Sequence, residues 1–458
     1  MKTYDFILIY EHRAREIESM CLLKHELEKR GYSVLVKCYH DMEIFRTKSR
    51  VCTPKYHAKV LGVFACYDTY TLRLCVQNCI TFDKVINMQW EQMISKSQEQ
   101  QDSYRNFKEI GKEVVHLSWG EANVERLTKI ANLDSKNVLI SGNISLDLLR
   151  EEFRPYYLSR AEINKIYGFE ENQKICLLFA NFRGAEYDAE QLEILRKKFG
   201  DGRVEIQKIG KKTQQKVMEW VVEAAKKFPN YIFIYRPHPG ENPKFVREAI
   251  EGISNIRIIS DYSSRQWIMV SDFLFSWHST VIVEAYFAGR QCYSLEPYPY
   301  LESEDCNVFN DMKAIVDYET FEKVLMGEAF DNNLSITEVE RYFGVTEERF
   351  NFEKVADAYV KVYQDSSYML GDKVKEHHLY REEYRDIRER IWGNSIVNYI
   401  YWKYMEHCIQ NPKLLEKNES AKQYAGIKKH MLAEIVSPEE IQEIESKLVH
   451  MLERWKEE

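Results

Sequence analysis

Tyr231-Ile-Phe-Ile-Tyr-Arg-Pro-His-Pro-Gly240 and Val270-Ser-Asp-Phe-Leu-Phe-Ser-Trp-His-Ser-Thr-Val-Ile-Val-Glu-Ala285 decide the fold of this 458-residue chain. Each begins as a short apolar run, the pattern of a strand buried on both faces, and ends in a polar turn. Arg236 and His238 stand at the end of the first run. Ser276, His278, Ser279 and Thr280 stand at the end of the second, where a helix over Val281 to Ala288 is expected, closed by Gly289. In an open α/β sheet, ligands bind outside the carboxyl ends of the strands. Two neighbouring strand ends carrying cations, hydroxyls and a helix N-terminus describe a pocket for a phosphate.

Working outward, the same alternation recurs. Residues 4–10 read as a strand, Glu16 to Gly31 as a helix with Ile17, Met20, Leu23 and Leu27 at helical spacing, and Tyr32 to Val36 as a second strand. Further strands are expected at Val60 to Cys66, Lys84 to Met88, Val114 to Ser118 and Val138 to Ser141. The pattern then restarts at Lys174-Ile-Cys-Leu-Leu-Phe-Ala180, followed by a long helix at about 211–227 and strands at Ile256 to Ile259 and Gln291 to Leu295. This predicts an α/β chain with two Rossmann-like domains, 1–155 and 156–310, facing across a cleft, and a helical C-terminal extension, 311–458.

Composition narrows the function. The net charge of −8 argues against nucleic acid as a partner, since such proteins carry a basic face. No apolar run approaches the length of a membrane span. The ten cysteines show no zinc spacing and suit free thiols in a reducing compartment, so a cytoplasmic location is expected, compatible with the inner face of a membrane. The aromatic stretch Arg381 to Tyr404, with Tyr384, Trp392, Tyr399, Tyr401, Trp402 and Tyr404, suits either a helix packed on the domains or one resting on a membrane surface.

Prolines on both sides of His238 stiffen its turn, and its ring N–H is suited to a phosphate oxygen. Ser279 and Thr280 suit a helix cap, and Glu284, one turn in, suits ribose hydroxyls. Asn181 offers a third strand-end contact, with Arg183 beside it, and Asp261-Tyr-Ser-Ser264 offers a place for a nucleobase. In the first domain, Glu11-His12-Arg13-Ala14-Arg15-Glu16 occupies the loop where a dinucleotide-binding domain carries glycines; it has none, so a polar acceptor is expected there, with Arg15 contacting it. Gln89-Trp-Glu-Gln92 places Trp90 to stack on a sugar ring and Glu91 as general base, with Glu11 and His12 as alternative catalytic groups.

These residues resemble the glycosyltransferase B-type (GT-B) fold, and within it bacterial surface-carbohydrate and capsule biosynthesis proteins and the CDP-glycerol glycerophosphotransferases. Arg236-Pro-His-Pro239 is similar to their His-Pro motif. Ser271-Asp272 through Ser279-Thr280 and Glu284 resemble the segment that follows it. Val138 to Asp147 resembles the end of their N-terminal domain, and Asn87 to Gln92 resembles an Asn-x-Gln-x-Glu-Gln motif. The resemblance covers roughly residues 1–300. It implies a nucleotide-activated donor of CMP, CDP or UDP type, held by His238, Ser279 and Thr280 in the second domain. It also implies a glycan or lipid-linked glycan acceptor in the first domain, and no metal or other cofactor. Ser-Trp-His-Ser-Thr replaces the Asp-Tyr-Ser-Ser of the glycerophosphotransferases, which favours sugar transfer and adds His278 as a phosphate contact. The expected activity is therefore sugar transfer in surface-polysaccharide assembly, an acidic keto-sugar from a CMP donor being one form of it. Polyol-phosphate transfer, UDP-sugar 2-epimerisation and a non-catalytic sugar-binding scaffold are the alternatives.

Overall fold

The computed structural model describes the chain except residues 42–54, 77–78, 102–106, 239, 345–348, 377–394 and 458. Of the side chains in its helices, 100–101, 395–399, 402, 427 and 456–457 are also left undescribed. The expectations at Pro239, Tyr384 and Trp392 lie outside the described residues, as do those for the Tyr399 and Trp402 side chains. The chain divides into two compact units: Met1–Gln92 with Ser103–Ser145 and Thr346–His450, and Met93–Asp102 with Leu146–Val345 and Met451–Glu458.

The first unit is built on six parallel strands: β1 (Lys2–Tyr10), β2 (Val34–Cys38), β3 (Tyr56–Val63), β4 (Ile80–Asn87), β5 (Val115–Ser118) and β6 (Val138–Ile140). Their order is β2-β1-β3-β4-β5-β6, so the chain reverses its direction of travel between β1 and β3. β3 and β4 begin earlier than the sequence suggested, because Tyr56 and Ile80 already pair. The amino-terminal parts of both strands mix buried residues with half-buried or exposed ones, which dilutes the continuous apolar run the reading relied on.

The helix Asn351–Gln364 groups with this sheet. Tyr359 is fully buried and stacks edge-on against Phe6 at 5.6 Å. Buried Lys84, on β4, donates to the carbonyls of Val362 (2.8 Å) and Tyr363 (2.6 Å), meeting the unpaired acceptors at the helix end. In the helical pair Ser395–Gln410 and Glu419–Glu434, Met405, Cys408 and Ala421 form a small core with Tyr401 against it, while Tyr404 is exposed.

The second unit holds five parallel strands: β7 (Lys174–Phe179), β8 (Tyr231–Arg236), β9 (Ile256–Ile258), β10 (Phe273–Ser276) and β11 (Cys292–Ser294), in the order β11-β10-β7-β8-β9. The sequence reading took the two opening stretches, β8 and β10, as neighbours; they are not, because β7 lies between them, paired with both. Crossover connections carry the chain from β7 outward through β8 and β9, then back to β7's other edge. The reversal falls between β7 and β10, where the crevice of such sheets lies. The long helix Asp201–Lys227 covers one face with Val217, Val221 and Ala224, against Leu178, Phe233 and Phe275. The α/β class and both Rossmann-like sheets agree with the sequence reading, as does the helical character of the C-terminal region.

Candidate functional site

At the end of β8, the Gly240 N–H donates to His238 Nδ1 at 3.1 Å. That leaves the ring proton on Nε2, which becomes a fixed donor. Burial, and then the charge of Arg183, lower the His238 pKa and keep the ring neutral. Arg183 lies over Gly240, where a Cβ would come within 3.1 Å of its Nε. The turn is held by Glu241, which accepts from the His238 N–H at 3.3 Å, from Gln214 at 3.1 Å and from the Tyr235 hydroxyl. A neutral imidazole and an exposed guanidinium thus share one strand end, with no carboxylate hydrogen-bonded to the ring among the described residues, a setting that an oxyanion would complete.

Arg236 does something other than expected. It donates to the carbonyls of Asp261 (2.8 Å) and Tyr262, so its guanidinium fastens the loop after β9. Tyr167 and Trp267 grip the same loop through Asp261 at 2.9 and 2.8 Å. The outcome is a rigid loop with Tyr262 at φ 63° and its ring exposed. This is the segment the sequence reserved for a nucleobase.

At the end of β10, Asn181 donates from Nδ2 to the His278 carbonyl at 2.8 Å, tying the β7 and β10 ends together across the reversal point. The His278 backbone has φ 40°, a left-handed conformation that non-glycine residues rarely adopt. Its side chain is held between two carboxylates and an aromatic ring. Nε2 lies 3.0 Å from Glu296, Nδ1 lies 3.2 Å from Asp305, and the ring stacks on Tyr300 at 3.6 Å. Burial opposes a charge there, but the two carboxylates outweigh it and raise the His278 pKa. The phosphate contact expected of this ring is therefore corrected: both nitrogens already face carboxylates.

The helix that follows is short, Val281–Phe287, and Thr280 makes no side-chain cap. Ser279 Oγ accepts from the Val281 N–H at 3.4 Å, and Glu284 accepts from the Ser264 hydroxyl at 2.6 Å. Thr280 is exposed; Ser279 and Glu284 are half-buried.

In the first unit, the loop after β1 and the end of β4 converge on Arg15. Its guanidinium meets Glu16 at 2.7 Å, Glu91 at 3.3 Å and Glu11 at 3.9 Å. Glu16 is fully buried, accepts from the Glu11 N–H at 2.8 Å, and is pushed up by burial against the pull of Arg15. His12 lies 3.7 Å from Glu11 and 3.8 Å from Glu434. Asn87, Gln89 and Gln92 are buried and bond to one another and to the backbone at Cys66 and Leu117. This scaffold, with Gln89 at φ 47°, leaves Glu91 exposed and Trp90 half-buried. The Trp90 indole N–H is buried with no acceptor among the described residues.

Sequence reasoning missed Glu16, although a carboxylate beginning the buried stripe of a helix was the available signal. It also missed Glu434, for which no local signal exists. Among the described residues, no three His, Cys, Asp or Glu side chains gather at a metal site, and no helix is long and apolar enough to cross a membrane.

No family model matches the chain, and no curated protein matches it. Among solved structures, it is similar to a UDP-GlcNAc 2-epimerase from Neisseria meningitidis bound to UDP-GlcNAc, at 14% identity over 79% of this chain and 99% of that one, with a TM-score of 0.45. It is also similar to the wall teichoic acid polymerase TagF, at 13% identity over 79% and 89%, with a TM-score of 0.48. These likenesses assign no activity to this chain.

Proposed function

We propose that the chain is a GT-B-type glycosyltransferase that moves a sugar from a nucleotide-activated donor to a glycan or lipid-linked glycan acceptor. The observation that carries this reading is the strand-end group of the second unit. His238 offers a fixed Nε2–H donor, Arg183 an exposed charge, and Asn181 orders the reversal point where ligands of such sheets bind. The loop after β9 presents Tyr262 to a base, and Glu284 the remaining acceptor capacity to a ribose. In the first unit, His12 or Glu91 takes the acceptor proton, with Arg15 setting the arrangement around them. Surface-polysaccharide assembly, at a cytoplasmic membrane face, is the setting this reading gives it.

The test is binding followed by turnover. Thermal shift and calorimetry with CMP, CDP and UDP report the donor class, and His238→Ala should weaken binding by about tenfold, the scale of one charge-assisted hydrogen bond. If no nucleotide binds, the reading loses its support. A UDP-sugar converted to its 2-epimer without an acceptor would replace transfer with epimerisation.

A further inference from the structure

One carboxylate, Glu241, gathers the elements that meet at the end of β8. Its Oε2 accepts from the His238 N–H at 3.3 Å, and its own N–H donates to the His238 carbonyl at 2.8 Å, closing a turn over residues 238–241. Its Oε1 accepts from Gln214 Nε2, on the long helix, at 3.1 Å and from the hydroxyl of Tyr235, on β8. Gln214 and Tyr235 are buried, and Gln214 Nε2 also donates to the Tyr235 hydroxyl at 3.0 Å. Burial raises the Glu241 pKa. The Tyr235 hydroxyl, the N–H groups of His238 and Phe182 and the Gln214 amide all oppose that rise. Phe182 stands between Asn181 and Arg183, so the surroundings of one side chain reach β7, β8 and the long helix.

A carboxylate behind a phosphate turn is unfavourable on two counts: it is partly desolvated, and it repels an anionic ligand. What it offers in return is geometric. A carboxylate only accepts, so it takes the His238, Gln214 and Tyr235 donors together, whereas an amide accepts on one side alone. The Gly240 N–H that meets His238 Nδ1 at 3.1 Å lies inside the same turn. The tautomer that leaves Nε2–H for a phosphate therefore depends on that turn staying closed. We infer that Glu241 is a positioning residue of the donor site, acting through His238 to hold its Nε2–H in place for the donor phosphate. The inference rests on the proposed nucleotide-sugar reading.

The experiment is calorimetry on the full chain with CMP, CDP and UDP, together with ring-nitrogen NMR of His238. Glu241→Gln should weaken binding of the nucleotide by about tenfold, although loss of a negative charge alone would strengthen it. In a His238→Ala background the same change should have no further effect, because it acts through that ring. The parent ring should show a single tautomer with its proton on Nε2, and Glu241→Gln should draw both nitrogen signals toward intermediate values. Tyr235→Phe removes one donor and leaves the carboxylate. It should move affinity and ring signals the same way by less, and it carries the test if Glu241→Gln does not fold. Unchanged or tighter binding in Glu241→Gln, a full additional loss in the double variant, or an unchanged tautomer overturns this inference alone. Failure of every nucleotide to bind the parent protein overturns the donor reading, while the ring signals still decide whether Glu241 fixes His238.

Discussion

The Tyr10 hydroxyl donates to the Glu434 carbonyl at 3.0 Å, joining residues 424 positions apart. The same hydroxyl accepts from the Val436 N–H at 2.9 Å, and Glu434 Oε2 accepts from the Arg13 N–H at 2.6 Å. The end of β1 and the C-terminal helices are thereby sewn together where the loop carrying Glu11, His12 and Arg15 begins.

Glu434 should set the proton affinity of His12. The contact with Glu434 is the largest influence and raises the His12 pKa; burial opposes it, Glu11 and Glu16 reinforce it, and Arg15 counters. Glu434→Gln should lower the His12 pKa, and Glu434→Asp should restore part of it. NMR titration of the ring, assigned by comparison with His12→Gln, reads this directly. An unmoved pKa would show that the pair is architectural only. If His12 is the base, the acid limb of the turnover profile should shift to lower pH with it.

Nucleotide binding at His238 should exchange no proton with the ring. Nδ1 already accepts from the Gly240 N–H at 3.1 Å, and burial and then Arg183 hold the ring neutral, so Nε2–H meets the phosphate without a second ring proton. Calorimetry at about pH 7.5, above the ordinary histidine value, in buffers of different ionisation enthalpy should return the same binding enthalpy. Proton uptake that disappears in His238→Gln would show that the Gly240 contact opens on binding.

Gly62→Ala should destabilise the first unit by about 1–3 kcal/mol, the usual cost of overpacking a core. A Cβ there would sit 2.0 Å from the Tyr359 hydroxyl and 3.2 Å from Leu8 Cδ2. Tyr359→Phe alone should be neutral or slightly stabilising, because that hydroxyl is buried without a hydrogen-bond partner among the described residues. Urea midpoints of the two single variants and the double variant test the contact; a Gly62→Ala protein as stable as the parent would mean helix Asn351–Gln364 does not pack on β3.

Acid should weaken the first unit through His116. The ring is fully buried, its Nε2–H donates to the Gly111 carbonyl at 2.8 Å and Nδ1 faces Asn87 at 3.1 Å. Burial first, and Arg126 as well, outweigh the Gly111 bond and lower its pKa from 6.5 to about 4. A depressed histidine pKa means the unfolded chain binds the proton first. The stabilisation is complete above about 6.5 and is lost as pH falls toward 4, up to about 3 kcal/mol. The stability gap between the parent and His116→Gln should therefore shrink between pH 7 and pH 4.5 in urea titrations; a constant gap would contradict it.

Eleven strands and their alternation with helices were legible in the sequence because short apolar runs and helical periodicity are local signals. The strand-end placement of His238, His278 and Glu91 was legible for the same reason. The role of each was not. Arg236 looked like a phosphate ligand because charge at a strand end is a local fact, whereas the Asp261 and Tyr262 carbonyls that occupy it come from another loop. His278 looked free because Glu296 and Asp305 lie one strand further on.

By itself, the sequence determined which residues stand at the carboxyl ends of the strands, since burial on both faces demands apolar runs and turns demand their own residues. It also determined that no glycine-rich dinucleotide loop follows β1. Tertiary structure alone decided that β7 separates the two motif strands, that His278 turns to Glu296 and Asp305, and that Glu434 reaches the loop after β1. The physical reason is common to all three. Strand order and ion-pair choice are settled by which distant surfaces bury together, and no local pattern carries that information.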